Sequence, residues 1–172
     1  MKTVTIILLS VILSLGSWSL CGAAGEQNQH LFHIERSKNK NIVQYDAVVL
    51  PNGNLRDKNP VIVYWILENG QKEQLNSVER THAYGIDSQD RLGKNKFRID
   101  LIALEDRKIT VEKLEGKYKC IVDINGKPSI LEKVYIDAKD RMLWFPKVLY
   151  IDLFGYDLQT KASVQERITP EE

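Results

Sequence analysis

The sequence predicts an all-β domain, mainly antiparallel, with about eight strands in a β-sandwich or partly closed barrel and one short helix. Short apolar runs alternate along the chain with turn residues, and within most runs apolar and polar residues alternate with period two, as on a half-buried strand. There is no internal repeat, low-complexity tract or interdomain linker to divide the chain. The boundaries that follow are 1–24 as a signal peptide, 25–30 as an N-terminal leader, 31–159 as a single β domain and 160–172 as a polar C-terminal tail.

The first segment has the parts of a secretory signal. Lys2 supplies a positive start, Thr5 to Leu15 is uncharged and apolar, and Gly22, Ala23, Ala24 and Gly25 offer small side chains for cleavage. The apolar run is shorter than the roughly 18 residues of a membrane-spanning helix. An uncleaved anchor, or a lipid anchor on Cys21, is the alternative; Leu20 immediately before Cys21 suits lipidation poorly. The expected location is periplasmic or extracellular, with no transmembrane span after cleavage.

About 150 residues then remain, a usual single-domain length. The chain has 24 basic and 23 acidic residues, so losing Lys2 leaves the formal charges balanced. Such a surface has no global field to draw in nucleic acid, which is excluded as a principal partner. Cys120 is the one cysteine left after cleavage, which forbids an intramolecular disulfide; its alternation with Tyr118 and Val122 makes it a core thiol.

Leu31 to Glu35 reads as a short first strand. In Ile42 to Leu50, Val43, Tyr45, Ala47 and Val49 share one face and Gln44 and Asp46 the other; Asn52-Gly53 turns the chain. Val61 to Leu67 is apolar on both faces and reads as a central strand. Gln71 to Arg80 places Leu75 and Val78 at helical spacing and reads as the short helix, with Ala83 to Ile86 as an extended piece. Strands follow through Phe97–Ala103, from Ile109, and through Tyr118–Ile124, where Asn125-Gly126 predicts a tight hairpin. Ile130, Val134 and Ile136 form the return, with Glu132 interrupting the face. Arg141 to Lys147 reads as an apolar loop in which Trp144 and Phe145 cap the core or dock a partner. Val148 to Phe154 is the last long strand, and Gly155 marks a bulge or bend.

Unusual residues gather in the N-terminal half. His33 and Glu35 fall on one strand face, an arrangement that can hold an imidazole tautomer for base chemistry. His30 and His33, an odd spacing apart on a strand, are expected on opposite faces, and with His82 distant the three histidines show no metal motif. Arg36, Lys38 and Lys40, with Arg56 and Lys58, form a basic rim suited to a carboxylate or phosphate. Tyr64, Trp65 and Tyr84 add aromatic surface.

The run from His33 to Asp46, the segment Asn59 to Ile66, and Ala83-Tyr84-Gly85, in this order, resemble the family called domain of unknown function 4833. The resemblance covers about Leu31 to Leu158. It implies an exported bacterial protein, and it carries no assigned activity or catalytic residue.

The expected function is an extracytoplasmic binding or interaction module for an anionic or saccharide ligand, held by Arg36, Lys38, Lys40, Tyr64, Trp65 and Tyr84. Its partner would be a small molecule, a glycan or an envelope protein. No catalytic residue, metal ligand or cofactor is expected. One alternative is a cell-envelope hydrolase with His33 or His82 as base and Glu35 or Asp46 as its partner. Another is a calycin-like barrel carrying a small apolar ligand.

Overall fold

A computed structural model of the chain describes residues 25–139 and 146–170. The signal segment and the loop bearing Trp144 and Phe145 lie outside the described residues. Eleven strands build one curled sheet, a half-barrel: β1 Gln27–Arg36, β2 Asn39–Val49, β3 Val61–Ile66, β4 Lys72–Glu73, β5 Ile86–Gly93, β6 Lys96–Leu101, β7 Ile109–Leu114, β8 Lys117–Ile124, β9 Lys127–Lys139, β10 Lys147–Asp157 and β11 Ser163–Ile168. Among the described residues one α-helix, α1, spans Ser77–His82. Along the sheet the order is β4-β3-β2-β1-β9-β8-β7-β6-β5, with β10 and β11 attached to the other side of β9. Every pairing is antiparallel except that of β1 with β9.

Alternation places the apolar residues on the inner face. Phe32, Ile34, Val43, Tyr45, Phe97, Ile99, Val111, Tyr118, Cys120, Leu131, Val134 and Leu153 are all buried there. Phe32 stacks on Tyr45 with ring centroids 4.4 Å apart. Burial pushes the Cys120 thiol far up its scale, so it is a core group without nucleophilic character. The hairpin at Asn125-Gly126 forms as expected, with φ of 52° and 72°. Glu115-Gly116 makes a matching turn between β7 and β8, with φ of 50° and 83°.

Two glutamines finish what the ladders leave open. β8 and β1 lie end to end beside β9, and Gln29 spans the gap: it donates to the Tyr118 carbonyl at 2.7 Å and accepts the Tyr118 amide at 3.1 Å. Where the curled sheet brings β5 back toward β3, Gln89 accepts from the Val61 amide at 2.9 Å and donates to the Val61 carbonyl at 3.2 Å. Each side chain takes the place of a neighbouring backbone. The barrel is therefore partly closed, by side chains where a full barrel would use a ladder.

Several local readings change. Val61–Ile66 is not central: beyond it lies only the two-residue β4. Its second face is covered by polar side chains, because Tyr64 turns away from the core beside Gln44, Asp46 and Lys72. The helix begins later than expected, at Ser77, because Asn76 caps it: its side chain accepts the Glu79 amide while Glu79 returns to the Asn76 amide. Residues 27–30 extend β1 and residues 163–168 form β11, so pairing continues on both sides of 31–159. Leu31 has no partner on β2, and Glu132 has none on β10. These bulges shift which residues face inward, so Leu31 and Phe32 are both buried, and Leu131 rather than Ile130 joins Val134 and Ile136.

Candidate functional site

Arg36 closes β1 at the rim of the half-barrel. Its guanidinium carbon lies 4.3 Å from the Trp65 ring centroid and 5.7 Å from that of Tyr84. The two rings meet edge to face at 5.3 Å. Nη1 donates to the Tyr84 hydroxyl at 3.4 Å and Nη2 to the Asn39 side-chain oxygen at 3.1 Å. Both partners are neutral, and Nε is buried with no hydrogen-bond partner among the described residues. A cation held on aromatic faces without a carboxylate keeps its capacity to receive an anion.

The rings are fixed from behind. Trp65 Nε1 donates to Glu79 Oε2 at 3.0 Å, tying β3 to the first turn of α1. The Tyr45 hydroxyl, buried and for that reason hard to ionise, donates to the Tyr84 carbonyl at 2.6 Å. The Tyr84 amide donates to the Glu79 carbonyl at 2.7 Å. Gly85 follows because a Cβ there would lie 1.7 Å from the Arg80 carbonyl oxygen. The segment Ala83-Tyr84-Gly85 is thereby held with Tyr84 against Arg36.

Of the residues expected to bind ligand, Arg36, Trp65 and Tyr84 come together. Lys40 joins Arg36 in lining a surface cleft of about 300 Å³ with Glu35, Asn39, Asn41 and Tyr135. Lys38 is exposed on the β1–β2 turn. Tyr64 is not brought to this site, since consecutive strand residues point to opposite faces and Trp65 takes the inner one.

Tyr64 belongs instead to a polar network on the outer face. The bulge at Leu31 puts His30 and His33 on the same face, where their rings stack 5.7 Å apart; the expectation of opposite faces fails because an unpaired residue intervenes. His33 Nε2 lies 3.4 Å from Glu35 Oε1, and His30 Nδ1 lies 3.3 Å from Asp46 Oδ1. Lys133 Nζ reaches Glu35 at 3.1 Å. Asp46, only 3% exposed, also receives Tyr64 and the Gln44 amide. Burial lowers the His33 imidazole from its ordinary value, more strongly than Glu35 raises it. Burial would raise Asp46, but its hydrogen bonds from His30, Tyr64 and Gln44 together hold it below the usual carboxylate range. Farther along this face Arg167 grips Asp152 at 2.7 and 2.6 Å and covers Tyr150 at 3.7 Å. Among the described residues no group of His, Cys, Asp and Glu is arranged to hold a metal ion, and no helix is long and apolar enough to cross a membrane.

A third feature was not legible in the sequence. An apolar groove of about 310 Å³ begins at Tyr84 and His82 and runs between the 3-10 turn Ile102–Leu104 and the facing parts of β9 and β10.

Fold and rim together define a β half-barrel with a cationic–aromatic mouth. The family model for a domain of unknown function (DUF4833) matches residues 32–167, and the chain belongs to this family. No curated protein and no solved structure matches it.

Proposed function

We propose that the protein is an extracytoplasmic binding module that holds an anionic group of its ligand at Arg36. The observation carrying this reading is the Arg36 guanidinium, stacked on Trp65 and Tyr84 with neutral hydrogen-bond partners. Lys40 lines the same cleft, and the Glu35 carboxylate that also lines it is already paired with Lys133 and His33. The signal-like residues 1–24 support export. The histidine–carboxylate pairs serve a hydrolase less well: they lie on the outer face, and neither imidazole has a hydroxyl or thiol partner among the described contacts.

The test is an NMR titration with inorganic phosphate, acetate and glucuronate, and with glucose as the neutral control. The Trp65 indole N–H resonance should move with the anions and not with glucose. Arg36→Ala should weaken the response at least about tenfold while the spectrum stays folded, and Arg36→Lys should retain part of it. An unchanged titration in Arg36→Ala refutes the site.

A further inference from the structure

The Arg36 cluster and the apolar groove share a wall. Tyr84 turns its hydroxyl to Arg36 and also lines the groove. Ile136, the β9 partner of Arg36 in the parallel ladder, lines it too. Beyond Tyr84 the groove is bounded by Ile102, Ala103, Ala138, Val148 and Ile151, all partly exposed at the edge of the core. It runs into a second cleft of about 300 Å³ through Ile102, Ala103 and Ile151, which line both. Cavities of this size suit a small molecule. Among the described residues the walls of the first groove carry few hydrogen-bonding side chains, His82 and the Tyr84 hydroxyl, which disfavours a sugar, while the second cleft is bordered by Glu105, Asp106 and Arg107; at the Tyr84 end the hydroxyl connects the groove to the Arg36 cation.

We infer that the ligand is a single-chain anionic amphiphile, a fatty-acid carboxylate whose head pairs with Arg36 and whose chain lies along the groove from Tyr84 past Ala103 and Ile151. This rests on the reading of Arg36 as an anion site and adds the chemistry of the rest of the ligand. The carboxylate meets the guanidinium beside the Tyr84 hydroxyl, and the methylenes replace water against Ile136, Ala138 and Val148. Charge selects the head and groove length selects the chain. A groove that takes one chain, with its cation set in the rim, fits a free fatty acid better than a lipid held in a bilayer.

The experiment is calorimetric titration of the purified protein with acetate, hexanoate, octanoate and decanoate, each below its micelle concentration, and separately with phosphatidylglycerol vesicles. Affinity should rise about tenfold for each two methylenes added. Ala103→Glu, and independently Ala138→Gln in case the first disturbs packing, should abolish this chain-length dependence and leave the small-anion NMR response intact. Wild-type protein that binds small anions without chain-length dependence overturns the amphiphile and leaves the Arg36 site standing. Absence of any anion binding overturns both. Chain-length dependence that persists in Arg36→Ala overturns the placement of the head, and binding to vesicles without binding to monomeric decanoate overturns the free fatty acid.

Discussion

Replacing Gln89 by alanine tests how the half-barrel is held closed. Gln89 is the side-chain substitute for a strand beside β3, satisfying both the amide and the carbonyl of Val61. Val61 is 2% exposed, so removing the amide group leaves a donor and an acceptor short of partners. A neutral hydrogen bond contributes about 1 kcal/mol net, and a stranded buried group costs about 1–3 kcal/mol. The adjoining cleft lined by Val61, Gln89 and Arg80 admits water to the vacated position, which lowers the penalty. The expected loss is therefore about 1–3 kcal/mol in total, or roughly 3–10 °C in Tm for a domain of this size. Urea denaturation followed by circular dichroism measures it. Gln89→Glu keeps the acceptor for the Val61 amide but sets a carboxylate oxygen against the Val61 carbonyl, so at neutral pH it should be no better than alanine. A Gln89→Ala protein within about 0.5 kcal/mol of wild type would refute closure by this side chain.

Gly85→Ala forces its new methyl against the Arg80 carbonyl, and the resulting shift should cost about 2 kcal/mol or more and uncouple Tyr84 from Arg36, read by thermal melts and the Trp65 indole resonance. Stability should fall in acid in two legs. His33 is held below its ordinary value of 6.5, so the unfolded chain takes up a proton first and stability declines from about pH 6.5 downward until the folded imidazole titrates as well. Asp46 is held below 3.8, so its contribution is complete above that value and is lost as pH falls through its folded pKa. In His33→Gln the upper leg should flatten and the lower leg remain, when denaturation midpoints are followed from pH 7 to pH 2.5; an unaltered upper leg would exclude His33 as its source. Cys120 should react with an aromatic disulfide reagent only on global unfolding, and prompt labelling of the native protein would show that the inner face opens.

Period-two alternation reveals a strand when its inner face is apolar and its ladder unbroken. β2, β6 and β8 satisfy both conditions, and Val43, Tyr45, Phe97, Ile99, Tyr118 and Cys120 were readable from spacing alone. β5 satisfies neither: Asp87, Ser88, Gln89, Asp90 and Arg91 make an edge strand whose essential residue is polar. β11 does alternate, with Val164, Glu166 and Ile168 partly buried, but its polar composition disguises it as a tail. The bulges at Leu31 and Glu132 reverse the facing of everything counted across them, which is how the pairing of His30 with His33 was missed. At the site, the joint use of Arg36, Trp65 and Tyr84 was legible as three neighbouring motifs. The exclusion of Tyr64 also follows from its position next to Trp65 on one strand. The apolar groove had no local signal, because its walls come from the 3-10 turn, β9 and β10.

Among the described residues, every ladder except one joins strands that follow each other in sequence. β1 to β4 can assemble as successive hairpins, and so can β5 to β11, each without waiting for a distant segment. Their union depends on the parallel register of His33–Arg36 with Lys133–Ile136, residues 100 positions apart. Among the described ladders this one joins the segments farthest apart in sequence, and no turn nucleates it. Docking of the two halves should then be the slow event of folding, read as the rate-limiting phase in refolding kinetics. Ser37 sits at its end as a latch, its amide donating to the Ile136 carbonyl at 3.1 Å and its hydroxyl accepting the Ala138 amide at 3.2 Å. Arg36 is set at the same seam, so the proposed anion site stands where the two halves meet.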